Sequence, residues 1–319
     1  MVEKTGDKDH FVSIIIPTFN EEKDIKGTLE RLVDLSYKNK EIIVVDDSAD
    51  NTPNIVRNFE RCGVKLFHRE SNDGGRCGAR NLGIIKSKGD ILIILNADVL
   101  LPGDFIERIM PLYLNGADYV LVQAVVANDD KLFARYGEAQ SHVLYDGNDG
   151  IEWTEGFSCR RKAAIDAGLF PVTPLPLVSG EDGYFGEQLK KKGYKKVIDR
   201  TIVISHIAPD ELKSYWRARK EKRSALPHYF LHKKTLPYLL CREVVFTCYS
   251  LFYITLIIPI FFWALRVQKF SPRGLKDIFP FVYSALLERL AVVSGGWNSI
   301  YSIVRYISKK ESNLTNVFS

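Results

Sequence analysis

Three clusters of carboxylates and amides follow apolar runs of strand length. They are Asn20-Glu21 after Phe11–Ile16, Asp46-Asp47 after Glu41–Val45, and Asn96-Ala97-Asp98 after Ile91–Leu95. A carboxylate in such a place can hold a divalent cation, and the cation can neutralise a phosphate pair. Acids gathered at one edge repel one another unless they bind something cationic or accept hydrogen bonds. A nucleotide base with a metal-diphosphate supplies both. The plainer alternative for each cluster is a polar turn, and for Asp46-Asp47 a helix cap before Thr52. The recurrence of the pattern at three run ends favours the chemical reading.

The elements that must position these groups are legible from hydropathy. Ile91–Leu95 is continuously apolar rather than alternating, as in a strand covered on both faces. Phe11–Ile16 and Glu41–Val45 read the same way, with Pro17 predicted to stop the first. Ile25, Leu29, Leu32 and Val33 stand at helical spacing within Lys23–Leu35. Thr52–Arg61 reads as a second helix, Val64–His68 as a third strand, and Gly74–Ser87 as a glycine-rich loop running into a helix. This β-α-β-α-β-α-β series predicts an α/β, doubly wound, mostly parallel sheet with right-handed crossovers, whose ligands gather at the carboxyl ends of its strands.

A chain of 319 residues accommodates a catalytic domain plus an extension. Charged residues at 26% and hydrophobic ones at 46% are globular values. The net charge of +5 is unevenly spread, with basic runs at Lys190–Lys196, Lys213–Arg223 and His232–Lys234. Such runs attract phosphates or anionic lipid headgroups. No nucleic-acid module accompanies them, so no nucleic-acid partner is expected. The five cysteines are scattered without metal-finger spacing, which fits reduced thiols in the cytosol. Met1–His10 is charged and lacks the apolar core of a signal peptide.

Taken in order, Val12–Glu21, Val44–Ser48, Gly78–Gly83, Asn96-Ala97-Asp98, Gly156–Arg161, Gly168-Leu169-Phe170 and Gly180-Glu181-Asp182 resemble the motifs of family-2 glycosyltransferases with the GT-A fold. The resemblance covers about Phe11 to Arg223. It implies that Pro17, Phe19, Glu21 and Asp47 hold the nucleotide base and ribose, that Arg80 approaches the diphosphate, and that Asn96 and Ala97 belong to the nucleotide-sugar site. A surface arginine is the alternative for Arg80. The motif usually begins with Asp, so Asn96 keeps an oxygen and loses a charge. The resemblance places the metal, Mg²⁺ or Mn²⁺, on Asp98, with His206 a further candidate ligand or else a structural histidine. It makes Asp182 the general base that deprotonates an acceptor hydroxyl, with a helix N-cap as the alternative role. Trp153, Gly156 and Glu181 would shape the acceptor pocket, core packing being the alternative for Trp153.

Beyond that region the chain changes character. Val244–Leu265 has no charged residue and is long enough to cross a bilayer, with Pro259 predicting a kink. A second apolar stretch, Ile278–Val304, is interrupted by Glu288-Arg289 and Gly295-Gly296 and reads as amphipathic and interfacial. Basic flanks at Lys233–Arg242, Arg266–Lys276 and Arg305–Lys310 all favour the cytoplasmic side, which two in-plane or re-entrant helices satisfy and a single span does not. The expected organisation is a nucleotide-sugar glycosyltransferase domain over residues 1–231 and a hydrophobic helical membrane-association region over 232–319. The expected protein is a metal-dependent inverting glycosyltransferase at the cell membrane, its catalytic domain cytoplasmic, moving sugar from a nucleotide-sugar donor to a lipid-linked or glycan acceptor. Surface-glycan chain extension and a non-catalytic nucleotide-sugar-binding subunit are the rival expectations. A nicotinamide enzyme is disfavoured, because Gly74–Gly78 lacks the Gly-x-Gly-x-x-Gly spacing and follows the third strand.

Overall fold

Alternate residues of the first strand face two different helical layers, which is why Ile14, Ile15 and Ile16 are apolar in succession. The computed structural model describes residues 10–71, 73–145, 155–172, 179–222 and 235–315, with side chains to residue 308. In strand β1 (Val12–Thr18), Ile14 and Ile16 pack with Ile25, Leu29 and Leu32 of helix α1 (Ile25–Val33). Ile15 points the other way, into a second cluster with Ile84. Next come β2 (Lys40–Asp46), α2 (Thr52–Arg57), β3 (Val64–His68), α3 (Gly75–Lys86) and β4 (Ile91–Ile94). Strands β3, β2, β1 and β4 are parallel neighbours.

Two local expectations are corrected. Strand β1 runs through Pro17 to Thr18. Ile15 O accepts from Leu95 N and Thr18 O from Asp47 N, each at 3.0 Å. Pro17 therefore turns its donor-less nitrogen toward the line of β4, whose pairing with β1 ends at Ile94. The helix after β2 ends at Arg57 rather than Arg61, and a separate 3-10 turn covers Glu60–Cys62.

The sheet continues beyond the four strands read from sequence. The further elements are β5 (Val99–Leu100), α4 (Phe105–Leu114), β6 (Tyr119–Val126), α5 (Leu132–Tyr145), β7 (Phe157–Arg160), α6 (Arg161–Asp166), α7 (Glu181–Lys191) and β8 (Lys196–His206). The strand order is β3-β2-β1-β4-β7-β6-β8-β5, with β7 antiparallel to both β4 and β6, and β5 antiparallel to β8. The chain divides into two compact units. One gathers Met1–Val125, Glu152–Pro171 and Asp182–His206; the other gathers Val126–Ile151, Val172–Glu181 and Ile207–Ser319.

The second unit is helical, built from α5 together with α8 (Leu212–Lys222), α9 (Leu236–Leu256), α10 (Ile258–Val267) and α11 (Ile278–Thr315). The bend expected at Pro259 falls between α9 and α10, where Ile257 has φ 57°. Proline sits in the first turn of α10, where its missing N–H costs nothing. Helix α11 runs unbroken through Glu288-Arg289 and Gly295-Gly296, because those residues meet partner helices instead of ending the helix. A Cβ on Gly295 would lie 2.0 Å from the carbonyl oxygen of Lys220, and one on Gly296 1.9 Å from the Glu243 carboxylate. Two helices of this unit are long and apolar enough to cross a membrane.

Candidate active site

The carboxyl ends of β1 and β2 are stitched together by short side chains. Asp46, fully buried, accepts from Thr18 Oγ1 at 2.7 Å and Ser48 Oγ at 2.6 Å, and lies 2.8 Å from His68 Nδ1. Ser48 Oγ in turn accepts from Asn20 N at 2.7 Å, and Thr52 Oγ1 accepts from Glu21 N at 2.9 Å. Asp46 is therefore committed to the scaffold, and the side chain of its neighbour Asp47 is 4% exposed. Phe19 presents its ring to solvent, 54% exposed, and Pro17 and Glu21 are half-buried.

Arg69, which the sequence reading did not single out, grips both oxygens of Asp47, with Nε 2.6 Å from Oδ1 and Nη2 on Oδ2. It also donates to the carbonyls of Asp73 and Gly75 at 3.0 and 3.1 Å, fixing the loop that enters α3. Its one sequence signal is position: it follows β3, and its N–H bonds Asp46 O at 2.8 Å. The carboxylate oxygens of Asp47 retain lone pairs beyond those Arg69 uses.

Helix α3 carries the next pair. Arg80 is fully buried, donates from Nη2 to Asn96 Oδ1 at 3.0 Å, and lies 5.0 Å from the centroid of the Phe170 ring. The structure thus brings together two residues assigned to the diphosphate. Asn81 donates to Phe170 O at 2.8 Å and accepts from Phe170 N at 2.9 Å. The Phe170 ring stacks on Phe185 of α7 at 4.3 Å. Asp182 stands in the first turn of that helix and accepts from Gly183 N at 2.8 Å.

Asp98 follows β4 at the start of β5. Its Oδ1 is buried with no hydrogen-bond partner. Burial pushes its carboxyl up to about 6, His206 pulls it down, and Glu155 adds to the rise. His206 closes β8 directly opposite Val99, the neighbour of Asp98, and its imidazole acts on the Asp98 carboxyl electrostatically. Ala97 is buried, and its carbonyl accepts from Thr28 Oγ1 at 2.5 Å, which fixes the turn.

Among the described residues no three metal-ligating side chains cluster. A buried carboxylate oxygen lacking a partner, with an imidazole beside it, nevertheless suits a hard divalent cation that takes its remaining oxygens from phosphate and water. Asn96 spends its oxygen on Arg80.

Gly156 has φ 73°, and a Cβ there would lie 2.6 Å from Val122 and 3.2 Å from Ile204, so it lets the chain pass close to β6 and β8. Glu181 is buried at the start of α7. Trp153 lies outside the described residues. Glu155, two residues on, bears on Asp98 electrostatically.

Residues 13–169 match the family described as Glycosyl transferase family 2. The chain is 30% identical over 212 residues to Glycosyltransferase AglE of Haloferax volcanii, a match covering 62% of this chain and 67% of that one. It is 28% identical over 199 residues to UDP-Glc:alpha-D-GlcNAc-diphosphoundecaprenol beta-1,3-glucosyltransferase WfgD of Escherichia coli, covering 62% of this chain and 76% of that one. The fold is shared with mannosyltransferase PcManGT of Pyrobaculum calidifontis, solved with GDP-Man and Mn²⁺. There the TM-score is 0.54 at 17% identity, over 96% of this chain and 81% of that one. The protein belongs to glycosyl transferase family 2 and is a glycosyltransferase with the GT-A fold.

Proposed function

We propose that the protein transfers a sugar from a nucleotide-sugar donor to a lipid-linked acceptor, a polyprenyl phosphate or lipid-linked glycan, with inversion at the anomeric carbon. The observation that carries the donor half is the unsatisfied Asp98 oxygen beside His206, at the strand ends where Arg80 and Asn96 meet. Asp47 and Glu21 take the base and ribose, Phe19 offers its exposed ring, and Pro17 and Ala97 shape the floor. Asp98 and His206 would hold Mg²⁺ or Mn²⁺, which when bound neutralises the leaving diphosphate.

Asp182 takes the proton from the acceptor hydroxyl as that oxygen forms its bond to the anomeric carbon. The bond from that carbon to the diphosphate oxygen breaks, and the nucleoside diphosphate departs with the electron pair. One displacement with one base gives inversion, without the second carboxylate of a retaining mechanism. Gly156 borders the acceptor. The acceptor class is supported by relatives such as the E. coli enzyme, whose name gives a diphosphoundecaprenol substrate. It is supported too by the apolar helices, which suit a membrane-associated region over 232–319 with the catalytic region, 1–231, on the cytoplasmic side.

Release of nucleoside diphosphate from a panel of nucleotide sugars, with and without polyprenyl-phosphate lipid, tests donor and acceptor together. Asp182→Asn should retain donor binding and lower turnover about 10²- to 10⁴-fold. Near wild-type turnover in that variant would reduce Asp182 to a helix cap.

A further inference from the structure

Helix α11 wears different chemistry on different arcs. Tyr215 of α8 donates to Ser284 O at 2.9 Å. The Glu288 carboxylate accepts from Tyr136 at 3.0 Å and Gln140 at 2.8 Å, both on α5, and pairs with Arg219 of α8 at 3.4 Å. Gly295 admits the backbone of Lys220. At about 100° per residue, Ser284, Glu288 and Gly295 fall within about 40° of one another. The exposed apolar residues Phe279, Tyr283, Leu290, Trp297, Tyr301 and Val304 fall within about 60° on the far side. Helix α9 lies along a third arc, through Trp297 Nε1 to Thr247 Oγ1 at 2.9 Å and Arg289 over Tyr253 at 5.2 Å. It turns its own exposed stripe, Tyr238, Val245, Phe252 and Leu256, away from α11.

The link between α10 and α11 is pinned as well. Arg135 of α5 grips Asp277 through Nε at 2.7 Å and Nη2 at 3.1 Å, and Trp263 of α10 donates to Tyr136 at 3.1 Å. From Asp277 to Gly295 the attachments run about 27 Å along the helix, close to the roughly 30 Å thickness of a bilayer's hydrocarbon core. A hairpin of α9 and α10 against α11 that crossed the membrane would carry α8 into the hydrocarbon, with its exposed Lys213, Arg217 and Lys222. It would also carry α5, which continues from β6 through residues 127–131 with no apolar segment between.

Resting on the reading of the protein as membrane-associated, we infer that α9–α11 form a one-sided membrane seat lying in the plane of one leaflet of an anionic bilayer, crossing it nowhere. Both helices are immersed along their exposed stripes. The exposed Arg266, Lys269, Arg273 and Lys276 at the α10–α11 link meet the anionic headgroups of that same leaflet. The same four cations disfavour a second copy as the occupant, since a two-fold contact near the link would set them against themselves.

The test uses the full chain with its exposed cysteines, Cys62, Cys241 and Cys248, replaced by serine. It is added from outside to preformed vesicles of phosphatidylcholine with or without phosphatidylglycerol. The seat predicts flotation with the anionic vesicles, weakened by salt. It also predicts labelling of Lys269→Cys by an impermeant maleimide without detergent. Phe252→Glu and Phe279→Glu, at positions 58% and 77% exposed, should each lower partitioning about tenfold or more while leaving the fold intact. Labelling of position 269 only after detergent would show a span and overturn the seat. A lipid-free soluble dimer that does not float would assign the stripe to a second copy and overturn it too. Nucleotide-sugar binding measured in parallel separates the two readings, because its survival when flotation fails leaves the glycosyltransferase assignment standing.

Discussion

Both units bury acids, and Asp277 and Glu288 of the helical one differ from Asp98 of the sheet one. In the helical unit every oxygen of Asp277 and the Glu288 carboxylate is answered, by Arg135 and Ser271 in one case and by Tyr136, Gln140 and Arg219 in the other. In the sheet unit Asp98 keeps an enclosed oxygen with no partner, and its carboxyl is pushed up by burial. A satisfied buried pair fixes geometry; an unsatisfied one is a cost retained for something that binds.

The largest effect expected from this contrast is at Asp98. Asp98→Asn should abolish metal-dependent binding of the nucleoside diphosphate, read by calorimetry with Mn²⁺, while raising stability by about 1–3 kcal/mol, since a desolvated charge is removed. Metal-dependent binding that survives the change would break the comparison. In the helical unit the same type of change should work in reverse. Asp277→Ala leaves Arg135 buried without its partner and should cost about 3–5 kcal/mol, seen as a lower melting temperature in detergent.

A smaller effect sharpens the role of the amide. Asn96→Asp should tighten Mn²⁺ binding by less than about tenfold, because the new charge is shared with Arg80. The smallest concerns Glu41, a satisfied acid within the sheet unit. Burial alone would raise its carboxyl above the usual 4.5, but bonds from Lys65, Ser13 and Lys88 N hold it below that value. Its contribution is complete above the unfolded value and is lost as pH falls through the lower folded one. Glu41→Gln should cost about 1–2 kcal/mol at neutral pH and flatten the acid limb of a stability profile.

The parallel half of the sheet was legible because strands covered on both faces leave continuous apolar runs. The antiparallel half was not: β5 has two residues, β7 four, and β8 mixes Lys, Asp, Arg and Thr with its aliphatic residues. Candidate site residues that follow or close a strand, such as Asp47, Asp98 and His206, could be picked out by position. Arg69 could not, since its role depends on a strand register that brings it to Asp47 across the β2–β3 edge. The Glu288-Arg289 and Gly295-Gly296 pairs looked like interruptions because charge and glycine weaken a lone helix. What reverses their sense is the company of α5, α8 and α9, and the partners on α5 stand about 150 residues away in the chain.

The ring of Phe170 touches Arg80 on one side and Phe185, three residues after Asp182, on the other, whereas Asn81 holds only its main chain. The amide clamp is therefore blind to which side chain occupies position 170, and the ring is not. In evolutionary terms, drift at Asn81 would loosen a loop. Drift at Phe170 would alter together the seating of the cation proposed for the donor and that of the helix bearing the proposed base. Selection for a new donor and selection for a new acceptor thus meet at one residue, and neither proceeds there without the other.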